Sequence, residues 1–126
     1  MEPLRIKQTD DSPLVILDHE DNQFELSGKS LPEDVSGFYQ PVLDWLNTYS
    51  EAPLLKTIFN IRLVYFNTES SKLIMDILLI LEEMVAEGHN VLIRWYSPRS
   101  DEDMQEAGKV YEEMVAIPFE HLLYDK

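Results

Sequence analysis

No cysteine occurs in the 126 residues, which removes disulfide frameworks, thiolate catalysis and most structural zinc sites. A reducing compartment, the cytoplasm, is the expected location. Glycine is nearly as sparse. Gly28, Gly37, Gly88 and Gly108 are scattered, so no glycine-rich loop can cradle a phosphate, and no Gly-x-Ser-x-Gly elbow presents a nucleophile. Basic charge is also short: ten Lys and Arg stand against 24 Asp and Glu, for a net charge of -14. Such a surface repels phosphate backbones and anionic lipid headgroups. The most apolar run, residues 73–81, contains Asp76 and is too short to span a bilayer, and residues 1–11 mix Arg5 and Lys7 with acids. Nucleic-acid binding, membrane insertion and export are therefore not expected.

His19, His89 and His121 fall in three different turns or edges, without the spacing that metal ligation uses, and Asp18, Glu20 and Asp21 lack the alternation and central glycine of a calcium loop. Neither a metal nor another cofactor is expected. No histidine lies near a candidate Ser or Thr nucleophile in sequence, and nothing points to an enzyme.

What is present is a clear succession of periods. Residues 14–18 and 23–27 are short β-type runs on either side of the turn-forming cluster His19-Glu20-Asp21-Asn22, and predict an antiparallel hairpin. Val35, Phe38, Tyr39, Val42, Leu46 and Tyr49 have helical spacing, with Pro41 predicting a kink or a fresh helix start. Residues 56–66 alternate, with Phe59, Ile61, Leu63 and Tyr65 on the side expected to be buried. A helical stripe follows over 70–87 and ends at Gly88, and a second alternating strand spans 90–96. Ser100 and Asp103 resemble a capping box before a third helical stripe, Met104 to Val115. A short edge strand over 117–122 closes the chain.

The order β-β-α-β-α-β-α-β predicts a single α/β domain over residues 1–126. Its sheet has five mixed strands, an N-terminal antiparallel hairpin followed by parallel strands, with three helices mainly on one face. The other sheet face then carries Glu25, Asn60, Arg62, Arg94 and Tyr96. Either this is a solvated face with an ion pair to Glu25, or Arg62, Arg94 and Tyr96 form a second contact surface, for instance for self-association.

Polar chemistry concentrates where the long strand gives way to the central helix, in Asn67-Thr68-Glu69-Ser70-Ser71-Lys72. Thr68 can act as a helix N-cap, accepting from the N–H of Ser70 or Ser71, worth about 1 kcal/mol. It can also carry a phosphate, held by free N–H groups and by Lys72, a cation placed in the first turn where the helix dipole disfavours it. A partner packed against Asn67, Glu69, Ser70, Ser71 and Lys72 would then meet a dianion, so the modification would switch binding while leaving the fold intact.

The turn Tyr65-Phe66-Asn67-Thr68-Glu69-Ser70-Ser71-Lys72 resembles the SiaC family of bacterial regulatory phosphoproteins. So do Phe24-Glu25-Leu26-Ser27-Gly28-Lys29-Ser30, Gln40-Pro41-Val42-Leu43-Asp44-Trp45-Leu46 and Asp101-Glu102-Asp103-Met104-Gln105-Glu106-Ala107-Gly108. The resemblance covers nearly the whole chain. It implies a STAS-like fold, related to anti-sigma factor antagonists, with Thr68 at the phosphorylated position. It further implies a serine/threonine protein kinase, a PP2C-type phosphatase and a diguanylate cyclase as partners, and a part in cyclic di-GMP signalling and biofilm formation. The sequence departs from the antagonist pattern Asp-Ser-Ser-Gly in its acceptor, Thr68, and in Lys72 where that pattern has glycine. The expected function is a non-enzymatic partner switch. Its rival is a small-ligand-sensing STAS-type domain with a nucleotide or apolar ligand between sheet and helices, in a pocket lined by Trp45, Trp95 or Tyr111.

Overall fold

The structure, a computed structural model, describes residues 1–125. The strands are β1 (Leu4–Ile6), β2 (Leu14–Asp18), β3 (Gln23–Ser30), β4 (Lys56–Phe66), β5 (Asn90–Pro98) and β6 (Phe119–Tyr124). The helices are α1 (Val35–Tyr49), α2 (Thr68–Ala86) and α3 (Glu102–Met114). The strands lie side by side in chain order. β1, β2 and β3 are antiparallel, and β3 to β6 are mutually parallel through the three helical crossovers. Stepping repeatedly in one direction through crossovers of one hand places the helices on one sheet face, as the periodicities imply.

The sheet has six strands where the sequence suggests five. The additional one, β1, is only three residues long, too short to show a period. It is held by Leu4 opposite Leu17, by an Arg5–Asp18 ion pair of 2.7 Å and by the Trp45 indole donating to the Glu2 carbonyl at 2.7 Å. Asp18 also accepts from the amides of Glu20 and Asp21, closing the hairpin turn in which Asn22 takes a positive φ of 53°.

The core lies between the sheet and the helices. Phe24, Leu26, Phe59, Ile61, Leu63, Ile93 and Trp95 project from the strands onto Tyr39, Leu46, Tyr49, Ile74, Ile77, Leu78 and Leu81, all essentially inaccessible. Helix α1 runs unbroken through Pro41. Both Pro41 and Gly37, whose carbonyl loses its donor, are exposed, so the carbonyl without its helical partner lies on the solvent side, where the loss costs least. Helix α2 ends as its glycine suggests: Gly88, at φ 94°, lets His89 N–H reach the Met84 carbonyl and Gly88 N–H the Val85 carbonyl, both at 2.9 Å.

Two local expectations fail. In β4 the alternation slips, because Gly28 pairs with Leu63 and the next residue, Lys29, with Tyr65, leaving Val64 as a bulge. Tyr65 is consequently exposed, and Phe66 turns inward against Trp95 and Tyr111. Before α3 the cap is Asp101, accepting from Met104 N–H at 3.0 Å, and not Ser100.

Candidate functional site

The strand-to-helix turn at the C-terminal end of β4 is built from three consecutive decisions. Phe66 anchors the end of the strand beneath α3, Asn67 caps, and Thr68 begins the helix. The cap is Asn67 and not Thr68: its Oδ1 accepts from Ser70 N–H at 2.8 Å and its carbonyl from Ser71 N–H at 3.0 Å. Relieved of capping, Thr68 is exposed, and among the described residues its hydroxyl takes part in no hydrogen bond. The amides of Thr68 and Glu69 remain as orphan donors at the positive end of a 19-residue helix.

The three hydroxyls of the turn differ sharply. Ser71 is half-buried and donates to the Thr68 carbonyl at 2.6 Å. Ser70 is fully buried and donates to the Ser30 carbonyl at 2.8 Å, while its oxygen accepts from the Ser30 hydroxyl at 2.9 Å. Because the Ser30 proton is directed at Ser70, the hydrogen bond between Ser30 and Tyr39 must have the Tyr39 phenol as donor. Asn67 N–H adds a further bond to the Ser30 carbonyl at 3.1 Å. From the other side the Tyr111 hydroxyl donates to the Ser71 carbonyl at 2.8 Å. Side chains of β3, α1, α2 and α3 thus hold the turn from below. Burial pushes the Tyr39 phenol up to about 12, against the lowering effect of its bond to Ser30. Burial, and then the neighbouring Tyr39, push Tyr111 up as well. Both remain protonated donors across the physiological range.

Beside this floor an open groove of about 800 Å³ runs between α2 and α3. Its bed is Phe66, Met75, Ala107, Val110, Tyr111 and Met114, and Ser71 and Lys72 lie at the end next to Thr68. Asp76 stands on one wall and Asp103 and Glu106 on the other, leaving Lys72 as the one cation among the lining residues.

The family model of the SiaC family regulatory phosphoproteins matches residues 6–124. The chain belongs to the SiaC family. An uncharacterized protein of Pseudomonas aeruginosa (strain UCBPP-PA14) is 30% identical over 126 residues, covering 100% of both chains. SiaC of Pseudomonas aeruginosa superposes with a TM-score of 0.90 at 29% identity over 98% of this chain and 100% of that one. A third match is to the crystal structure of the diguanylate cyclase SiaD in complex with its activator SiaC from Pseudomonas aeruginosa. It has a TM-score of 0.91 and 30% identity, over 96% of this chain and 99% of that one.

In this SiaC family member Asn67, Thr68, Glu69, Ser70, Ser71 and Lys72 are contiguous, but they do not share one environment. Thr68, Glu69 and Lys72 are exposed, Asn67 and Ser71 half-buried, and Ser70 sealed. Sequence reasoning placed Tyr39 only in the first helical stripe, Tyr111 in a ligand pocket and Ser30 only in a family-like segment, three positions beyond an alternating run, and it put none of them beneath the turn. Of the aromatics proposed for a ligand pocket, Trp45 and Trp95 are core residues whose indoles donate to the carbonyls of Glu2 and Met104, and only Tyr111 faces the groove.

Arg62, Arg94 and Tyr96 do gather on the helix-free sheet face. The Arg62 guanidinium lies 4.1 Å from the centre of the Tyr124 ring and 5.8 Å from that of Tyr96. The expected ion pair to Glu25 is not formed. Arg94 pairs instead with Glu120 at 3.1 Å, its neighbour on β6, and Glu25 accepts from the Ser27 hydroxyl at 2.8 Å. No helix among the described residues is long and apolar enough to cross a membrane.

Proposed function

We propose that this protein is a partner switch whose state is written on Thr68. Unphosphorylated, it docks on a diguanylate cyclase and activates it. A serine/threonine protein kinase phosphorylates Thr68 and releases the cyclase, and a PP2C-type phosphatase restores the docking form. The protein itself contributes no catalysis. The observation that carries the reading is the division of labour in the turn: Asn67 caps and Ser70 is locked in the core, so Thr68 is left exposed without a structural duty. Family membership supports a regulatory phosphoprotein, and the SiaD–SiaC complex supports a cyclase as the docking partner.

A phosphate on Thr68 adds about -1.5 to -2 charges next to Glu69. The orphan amides of the first turn and Lys72 stabilise it locally, so the turn keeps its shape. A partner packed there has to desolvate the dianion or supply a cation it lacks, and it dissociates.

The test combines intact-mass measurement after incubation with kinase and ATP and a cyclase pull-down. One added phosphate is expected in the wild type and none in Thr68→Ala. Thr68→Ala should retain and activate the cyclase, and Thr68→Asp should lose it. Equal capture and activation by all three forms would remove Thr68 from the switch.

A further inference from the structure

We infer that β6 is a self-association edge: two copies of the chain pair their β6 strands antiparallel about a two-fold axis at His121, joining two six-stranded sheets into one. The inference goes beyond the switch at Thr68 and does not depend on it.

The sheet ends in two unlike edges. β1 is three residues long, carries Arg5 and is flanked by Pro3 and Lys7, devices that keep an edge from pairing with another chain. β6 is six residues long, and the nearest proline, Pro118, stands before it, so nothing interrupts Phe119-Glu120-His121-Leu122-Leu123-Tyr124. Nor is the edge roofed. Helix α3 rests through Gly108 on Trp95 of β5, one strand in, and Leu123 is left 45% exposed.

Two bonds fix the direction of the backbone groups. Ile93 N–H donates to the Pro118 carbonyl at 3.0 Å and Arg99 N–H to the Tyr124 carbonyl at 2.8 Å, so the even-numbered residues of β6 bond to β5. The N–H and C=O groups of Phe119, His121 and Leu123 therefore point outward, and among the described residues they meet no partner.

An antiparallel second copy uses all of these groups in one register only. With His121 opposite its own counterpart, Phe119 and Leu123 face each other on both sides of the axis and about six hydrogen bonds form. Moving the axis to Glu120 or Leu122 forfeits about two of them, and the first of these shifts also sets two carboxylates directly opposite. In the full register Glu120 faces Leu122 and keeps its own Arg94 at 3.1 Å, while each imidazole keeps its own Glu112 at 2.8 Å. The Phe119 and Leu123 pairs add apolar contact on the helix side of the sheet. β4 lies two strands in from β6, so both Thr68 turns stand away from the joint. Each chain brings a net charge of -14, so association works against repulsion and salt should strengthen it, the reverse of a charge-driven contact.

Sedimentation velocity of the whole chain over about 5 to 300 μM, at low salt and at about 0.5 M NaCl, reads the association. The sedimentation coefficient should climb with concentration from monomer towards dimer, and more steeply at high salt. Leu123→Lys lowers the net negative charge yet blunts the edge, and should weaken association about tenfold or more with an unchanged circular dichroism spectrum. His121→Pro removes a donor that the β5–β6 ladder does not use and should act in the same way. Arg62→Ala, on the helix-free sheet face, should associate as the wild type does. Amide hydrogen exchange reads the register: raising the concentration should protect Phe119, His121 and Leu123, while Glu120 and Leu122, already bonded to β5, change little. A wild type that stays monomeric throughout, or one whose association Leu123→Lys leaves intact, overturns the edge. Association lost in Arg62→Ala with the outward amides still unprotected places the contact on the sheet face and overturns it as well.

Discussion

At the scale of single residues, the turn holds three hydroxyls within four positions, and burial assigns them different physics. Ser70 is an intermediate in a one-way chain of donors that runs from Tyr39 through Ser30 and back to the Ser30 carbonyl. Ser70→Ala takes the acceptor from the Ser30 proton in a sealed site and leaves the Ser30 carbonyl with the Asn67 amide alone, and should lower unfolding free energy by about 1–3 kcal/mol in urea titrations. Asn67→Ala removes the cap and should cost about 1 kcal/mol by the same measurement. Thr68→Ala removes nothing that the fold uses and should stay within about 0.5 kcal/mol of the wild type. The ordering Ser70, Asn67, Thr68 is the signature of a turn in which the exposed hydroxyl is free for chemistry. Asp18 offers a pH readout of a different kind. The amide of Asp21, followed by Arg5 and the amide of Glu20, holds its carboxyl below the usual range against the opposing effect of burial. A depressed folded-state value means that Asp18 stabilises the hairpin above the ordinary carboxylate range, and that this contribution disappears as pH falls through its own lower value. Carboxyl-detected NMR titration should place Asp18 below the exposed aspartates, and Arg5→Ala should move it upward.

Elements were legible in the sequence wherever a period ran long enough. Lys56–Phe66 and the stripes that became α1, α2 and α3 each repeat their pattern over several positions, and the alternation or helical spacing alone identifies them. What stayed hidden was short or two-body. β1 has three residues and depends on Arg5 finding Asp18, and the bulge at Val64 exists only because β3 passes Gly28 beside it. The candidate site follows the same division. Thr68 was visible as a hydroxyl at a change of period, whereas the floor beneath it joins Ser30 to Ser70 across forty residues, a pairing without any local trace. The cap fell one residue earlier than Thr68 because Asn and Thr are both competent caps, and only the extended backbone of Asn67 distinguishes them. Gly108 shows how tightly one element fixes another. A Cβ there would sit 2.5 Å from Trp95 Cδ1, so α3 rests directly on the indole of β5. Gly108→Ala should therefore destabilise by about 1–3 kcal/mol through overpacking, and should displace the Tyr111 hydroxyl from Ser71 and widen the groove. Thermal unfolding reports the first effect, and reduced cyclase affinity with unchanged phosphorylation of Thr68 reports the second.

For the molecule as a whole, the governing quantity is the excess of negative charge. Ion pairs among the described residues engage few of the 24 carboxylates, and one of them, His121 with Glu112, is charged only when the histidine is protonated. The folded state therefore carries unrelieved self-repulsion, which salt screens over a Debye length of about 8 Å at physiological ionic strength. Melting temperature should accordingly rise by several degrees between low salt and about 0.5 M NaCl. Against a net charge of -14, a phosphate on Thr68 is a small global increment, and it enters where orphan amides and Lys72 offset it. Because the turn is pinned from β3, α1 and α3 at once, no neighbouring element is free to move in response. The phosphorylated protein should melt within about 2 °C of the unmodified one, since a shift of about 1 kcal/mol already corresponds to some 4 °C at this size. Its amide chemical shifts should change only around residues 66–73 and the facing part of α3. Shifts spread through β5 and β6, or a large loss of melting temperature, would mean that phosphorylation acts by loosening the fold and not by spoiling one end of a binding surface.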